Sequence, residues 1–539
     1  MVAVAVLGLS WAASAQPTNV PVAAWSVEEV RLGPFDSKKV DGILSPGSRH
    51  LAFIIRQAHK QYVVVDGRAA ETGYDRIWPK SLRFSADGEH VRYLARTDAK
   101  QLVVVDDRSG PKYDWIDTDS ICFSPDGQHL AYVAAQAGGH CVVMDGKAGA
   151  EYRRIPAPSL VFSPDSQHLA YVGIKNHNLV TVMDGQPGPE YHSFMYGLPR
   201  FSADSKHMAY VMWHGLKPSV VLDGRPDIEY DDIGLGMPKF SPDGSHLVYA
   251  AKKGKKSILV LDGHPIAECG GIGEGDPKFS RDGKRLVYMA KSGKKYVVVV
   301  DGQASPEYDN IGAGDPIFSA DGQHVAYSVR EGAKWFVVLD GQVGTKYDGI
   351  FEGSPIFSAD GRHIAYAVVH GAHSLVVVDG QAGAEYDGIL KGAPVFDPTG
   401  QHVAYGGREG KKWAMVVDGQ AGVKCDGLLS RGPVFSADGT RLAYGAQHGK
   451  KYLVVVDGEA GPEYDRILKG NPIFSRDGRH VAYGAQKGKQ WFVVIDGECG
   501  PELDWLGPLQ FDDDGVLEYL ADKEQSLYRV KHVLAGKAR

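Results

Sequence analysis

Hydrophobic positions along this chain fall into short runs of two kinds, and residues 354–389 show both. "SPIFS" is a brief apolar run. "GRHIAYAVV" follows an Asp360-Gly361 turn. "HSLVVVDG" is apolar at consecutive positions, and "AEYDGIL" closes the segment. Turn-forming clusters (SADG, HGA, DGQAG and LKGAP) separate them. Runs this short, rich in Val, Ile, Tyr and Phe, predict four strands A to D in an antiparallel meander. The third run, also seen as "WFVVLDG" and "KYLVVVDG", is too dense to leave one face wet. One four-stranded sheet cannot cover both of its faces. Sheets stacked around a ring can.

The phrase recurs at a fixed step. Phenylalanine opens it at Phe84, Phe123, Phe162, Phe201, Phe240, Phe279, Phe318, Phe357, Phe396, Phe435 and Phe474, each 39 residues from the last. A weaker copy begins at Leu44 and a final one at Phe511, which makes thirteen units. The predicted fold is therefore all-β, a propeller array of about thirteen four-stranded blades.

The S-x-D-G of each unit reads as a turn, with Ser and Asp bonding nearby amides and Gly supplying positive φ. Ser166 and Ser205 replace that Gly, where strain of about 1 kcal/mol or an altered turn is expected. Asp397 replaces the Ser and Thr399 the Asp in another unit. Such exceptions point to structure, since chemistry would not be copied and then relaxed. Ten histidines (His50, His90, His129, His168, His207, His246, His324, His363, His402 and His480) share one repeat position, which Arg285 and Arg441 also fill. A metal ligand could not be exchanged for Arg. A donor to a carboxylate could, the partner being the turn Asp or the Asp of the "YD" pair.

Composition narrows the function. Net charge is −7, from 59 Lys and Arg against 66 Asp and Glu, which speaks against a nucleic-acid binder. The five cysteines form no CxxC pair, so neither a zinc site nor a disulfide framework is expected. Cys122 and Cys141 fall in one unit and either pair or serve as small buried side chains. "MVAVAVLGLSWAASA" ends in an A-x-A-like pattern, so residues 1–15 read as a secretory signal without the usual basic leader. The mature chain is expected to be a monomer that does not span a membrane, exported to a bacterial periplasm or secreted.

"FSPDGQHLAYV", "FSPDSQHLAYV" and "FSPDGSHLVYA", each followed by an apolar "VVMDG" or "LVLDG" run, resemble the WD40-like PD40 repeat of TolB-type β-propellers. The resemblance covers about 90% of the chain. It implies a propeller of the bacterial envelope that works by binding. TolB-type proteins carry an α/β domain before the propeller, for which fewer than thirty residues are available here, and the unit number is about double. TolB's own role is therefore not carried over.

Propellers commonly have four to eight blades. The expected partition is two rings of six and seven, residues 44–276 and 277–539, joined near the Gly-rich 265–277. One large ring or an open spiral is the alternative. Residues 16–43 form an N-terminal segment in which "WSVEEVRL" (25–32) is placed to close a ring with the last unit. Function is expected on the face of the B–C hairpins and D–A loops. Its hairpins supply Lys255, Lys294, Lys411 and Lys450. Its loops supply Glu274, Asp276, Asp315, Glu352, Lys391, Arg431 and Lys469 as channel-mouth candidates. The plain alternative is solvated hairpins whose lysines keep edge strands soluble. No G-x-S-x-G elbow, sialidase box, P-loop or dinucleotide fingerprint occurs. No catalytic residue, metal or cofactor is assigned. The expected function is a non-catalytic scaffold for a protein, a peptide or an envelope glycan. A channel-centred polysaccharide lyase or hydrolase is its rival.

Overall fold

The computed structural model describes residues 25–34, 42–46, 50–156, 159–191, 198–234, 238–272, 276–312, 316–392, 394–470 and 472–534. Apart from short 3-10 turns its regular structure is all strand, in thirteen small antiparallel sheets. Blades are numbered here by their B strands, from Leu51–Gln57 in blade 1 to Leu517–Lys523 in blade 13.

Blade 10 shows the plan. Strand A is made of Gly388–Ile389 and Val395–Phe396, B is Val403–Glu409, C is Lys412–Val417 and D is Gln420–Cys425. Both pieces of A pair with B, at Gly388↔Arg408 and Val395↔Ala404. The "AEYDGIL" run is therefore not one strand, as the sequence pattern implied. Tyr386 pairs with Ser374 of its own blade, while Gly388 and Ile389 already belong to the next. The reason lies upstream. Asp379 and Gly380 both take positive φ, +49° and +78°, in the two-residue hairpin that reverses the chain after strand C. D thus starts at once, at Gln381, and the chain has crossed to the neighbouring sheet by residue 388.

Strands B and C form the core, as their apolar runs demand. Ala365, Ala367, Val368 and Val377 are each 0% exposed. Thirteen hydrophobic clusters result, and each joins one blade to the next. The thirteenth packs Leu51, Phe53 and Val64 of blade 1 against Leu520 and Leu527 of blade 13. Trp25–Pro34 supplies strand D of blade 13, running antiparallel to Ser526–Leu534 from Trp25↔Leu534 to Pro34↔Ser526.

The blades form one ring of thirteen, the alternative to the six-plus-seven partition. Across the expected junction, Val248 and Leu259 of blade 6 pack on Leu286 and Tyr288 of blade 7 as at other seams. With sheets about 10 Å apart, thirteen of them give a mid-ring radius of about 20 Å and a channel on the order of 20 Å across.

Blades 10 to 12 trade volume between A and B. Gly406 of B faces Leu390 of the A interruption, and a Cβ at Gly406 would sit 2.9 Å from that leucine's Cβ and 2.7 Å from Leu428 Cδ1. Gly484 stands the same way against Leu468 and Leu506. Gly406→Val is expected to overpack this seam and cost about 1–3 kcal/mol, read as a lowered urea midpoint.

Candidate functional site

The end of the ring that carries the A–B and C–D turns is a repeated hydrogen-bond lattice. In blade 9, Ser358 Oγ donates to Asp360 Oδ1 at 2.6 Å and accepts from the His363 amide at 2.9 Å. Asp360 also accepts the Arg362 amide. Held this way, the turn carboxylates lie below their ordinary pKa. The Ser hydroxyl is the main cause and the backbone amide adds to it, for Asp87, Asp126, Asp165, Asp204, Asp282, Asp321 and Asp438; Asp243 falls to about 2.

The histidine slot is structural as well. His363 Nδ1 lies 2.7 Å from Asp379 Oδ2, while Asp379 Oδ1 accepts the Ile364 amide. The partner is thus the Asp of the C–D hairpin, not the S-x-D-G or YD aspartate the sequence suggested. Arg285 and Arg441 reach the same carboxylate through Nε at 2.8 Å. Arg285 Nη1 then donates to the Gly322 carbonyl of the next blade at 3.0 Å. This explains why Arg and His exchange there.

The exceptions keep the turn. Asp397 accepts the His402 amide at 2.7 Å and the Thr399 amide at 3.0 Å, doing the work of the missing Ser. Ser166 and Ser205 take the Gly conformation at φ +65° and +63°. Each hydroxyl accepts an amide of the preceding blade, that of Asp126 or Asp165, at 3.0 Å. That bond offsets a conformational cost of about 1 kcal/mol.

The opposite end carries the B–C hairpins. The Asp where the chain crosses between blades clamps two hairpins. Asp426 accepts Lys412 Nζ of its own blade and the Gly449 amide of the next, both at 2.8 Å. Asp348 and Asp465 do the same with Lys334 and Gly371, and with Lys451 and Gly488. In the Lys411-Lys412 and Lys450-Lys451 hairpins the second lysine is thus tied to the frame. Lys295 lies 3.8 Å from Asp309, and Lys256, with Gly270 at the crossover, pairs with Glu268 instead. The first lysine of each Lys-Lys pair stands at the tip, and Lys255, Lys294, Lys411 and Lys450 are all exposed. Lys489 holds the same tip in blade 12. Sequence reasoning passed it over, although it lies one 39-residue step beyond Lys450.

Glu352, Lys391, Arg431 and Lys469 lie in the interruptions of strand A, between its two pieces, and so at mid-height on that edge. Several join neighbouring blades. Asp276 meets Lys239 Nζ at 2.5 Å, Glu352 lies 4.0 Å from Lys391, and Arg431 donates to the Gly470 carbonyl. Lys469 is exposed. Glu274 and Asp315 lie outside the described residues, as do the leader at 1–15 and the middle of the 265–277 stretch.

Cys122 and Cys141 are both free thiols on opposite sides of blade 3. Cys141 packs toward blade 2 and Cys122 toward blade 4. Burial pushes the Cys122 thiol up to about 11.

A cleft of about 490 Å³ opens between blades 5 and 6, beside Leu222, Arg225, Asp227, Leu247 and Tyr249. Asp227 occupies the position that is Gly383 in blade 9, and its carboxylate accepts the Tyr249 hydroxyl. Among the described residues, no group of three or more His, Cys, Asp and Glu side chains is placed to hold a metal ion. No described helix is long and apolar enough to cross a membrane.

No protein-family model matches the chain, and no curated protein does. Solved propellers do. A eukaryotic initiation factor is similar at 14% identity, over 62% of this chain and 94% of that one, with a TM-score of 0.30. The Cps50 (Swd1) β-propeller domain of Myceliophteria thermophila is similar at 12%, over 48% and 95%, with a TM-score of 0.22. TolB from Acinetobacter baumannii is similar at 17%, over 54% and 77%, with a TM-score of 0.20. At these values no ligand or activity transfers.

Proposed function

We propose that this ring is an exported, non-catalytic scaffold that holds a protein, peptide or envelope glycan on its B–C hairpin face. One observation carries the reading. The crossover aspartates lock the base of the hairpins, as Asp348, Asp426 and Asp465 do, and leave each tip residue free to differ. The tips read His59, Ala99, Gly138, His177, Leu216, Lys255, Lys294, Ala333, Ala372, Lys411, Lys450, Lys489 and Gln525. A rigid frame with variable exposed points suits recognition. Five lysines in two arcs give it a basic character on a chain of net charge −7.

The opposite end supports the same view, because its shifted carboxylates recur in register as turn elements. Export is part of the proposal and rests on the leader-like residues 1–15.

Changing Lys255, Lys294, Lys411, Lys450 and Lys489 together to Ser should cut capture from a bacterial envelope extract at least tenfold at low salt. Raising salt to about 0.3 M should weaken wild-type capture in parallel. Unchanged recovery would remove the basic tips from the reading.

A further inference from the structure

The seam between blades 5 and 6 departs from the repeat at the other end of the ring, where the C–D turns lie. Eight blades carry glycine at the fourth residue after the hairpin Asp, Gly383 of blade 9 among them. Blade 5 carries Asp227 there. Strand pairing fixes which way this carboxylate points. Arg225 lies opposite Leu222, and the Asp227 amide donates to the Val220 carbonyl at 2.8 Å. Residues opposite one another on paired strands share a face, and so do residues two apart. Val220 and Leu222 pack toward blade 6, on Leu247 and Tyr249. Arg225 and Asp227 therefore face blade 6 as well, and all of these residues line the cleft of about 490 Å³. Clefts of about 300–1,000 Å³ are usual for small ligands.

The charged groups of the cleft fall into two sets. Asp223 is taken by His207 Nδ1 at 2.7 Å and the Met208 amide at 2.9 Å. Asp262 is taken in the same way by His246 Nδ1 at 2.7 Å and the Leu247 amide at 2.8 Å. Asp227 accepts only neutral donors, the Tyr249 hydroxyl and, at 2.7 Å, the Ile228 amide. A carboxylate has about four acceptor sites, so about two remain open. Its Oδ2 reaches the blade 6 turn, where a Cβ added at Gly263 would sit 3.8 Å away. Arg225 is exposed and, among the described residues, is in no ion pair.

The cleft thus offers one carboxylate and one guanidinium without a charged partner, beside Leu222, Leu247 and Tyr249. A simple anion would meet three carboxylates there, and a simple cation would meet Arg225. A zwitterion satisfies both charges, and an apolar side chain on it covers the leucines.

We propose that this cleft binds a zwitterion of the amino-acid or short-peptide class with apolar side chains, its ammonium on Asp227 and its carboxylate on Arg225. The proposal goes beyond the scaffold reading, since the cleft is lined by C–D turn residues and not by the hairpin tips.

The test titrates leucyl-leucine into the full chain by calorimetry. N-acetyl-leucyl-leucine lacks the ammonium, leucyl-leucinamide lacks the carboxylate, and glycyl-glycine lacks the apolar groups. Each should bind at least tenfold more weakly than leucyl-leucine. Arg225→Gln and Asp227→Gly install residues that other blades carry at those positions, so the fold should survive both. Each should weaken leucyl-leucine at least tenfold, and Asp227→Gly should no longer discriminate against the acetylated peptide. Tighter binding of leucine than of leucyl-leucine would support a free amino acid as the ligand, and the reverse a peptide. No binding of either, equal binding of the blocked peptides, or indifference to both variants would each overturn the proposal. A plain Arg225–Asp227 ion pair in solution would give the first of these results.

Discussion

Removing residues 25–34 is expected to loosen the ring at one place. That segment pairs with Ser526–Leu534, and Trp25 packs into the seam of blades 12 and 13. Its loss leaves strand C of blade 13 as a bare edge and weakens the seam where Leu520 and Leu527 meet Leu51 and Phe53. In a stacked array, stability passes between neighbours, so the damage should be local before it is global. Hydrogen exchange is the measurement. Amides of Ser526–Leu534 and Leu51–Gln57 should lose about 100-fold in protection, while Leu286–Ser292 of blade 7, across the ring, changes little. Equal loss around the ring, or loss confined to blades 7 to 13, would contradict a single closed circuit.

The second large effect is acid lability. Nine turn aspartates, Asp360 among them, have folded pKa values below the unfolded 3.8, chiefly through Ser hydroxyl bonds, with Asp243 at about 2. A depressed carboxylate adds stability that is fully present above its unfolded pKa. That stability is lost as pH falls through the folded value. The loss therefore begins at all nine sites as pH falls below about 4, and at Asp243 it runs down to about pH 2. Circular dichroism against pH should show a steep transition in that range. Changing Ser202, Ser241, Ser280 and Ser319 to Ala removes the main cause at four sites. It should lower stability throughout the range from pH 7 to about pH 4, where the depressed carboxylates contribute in full, and so raise the acid midpoint by about half a pH unit. A midpoint that does not move would mean these turns do not set the acid limit.

Much of this was readable in the residues. The four-strand unit, its period and the buried third strand follow from local patterning, because each blade repeats the same burial. The structural role of the histidine slot was legible from Arg285 and Arg441 alone. Its partner was not, since three aspartates lie within reach in sequence and only the hairpin geometry of Asp379 selects one.

Strand D was misjudged because a crossing between sheets leaves no mark in hydrophobicity. Tyr386 and Gly388 are two residues apart yet pair with different blades. Blade number per ring was equally hidden, because each seam is a local pairing and closure depends on small angles summed over all of them. For the candidate site, the hairpin lysines could be found by type, and Lys489 by its step. The Arg153 substitution stood in plain view as a departure from the "EYD" phrase, but its contact with His177 across the seam did not.

The size of the ring has one last consequence. Thirteen blades share a full circle at about 28° each, and twelve or fourteen would need only about two degrees more or less at every seam. A seam of Val, Leu and Tyr side chains absorbs that by small rotamer shifts. Duplication or loss of one 39-residue unit in the gene is thus a mild perturbation for this molecule, where in a four-bladed relative it would be a catastrophe. Such tolerance lets an ancestor vary its circumference, and with it the width of its aperture, by copying a single exon-sized cassette.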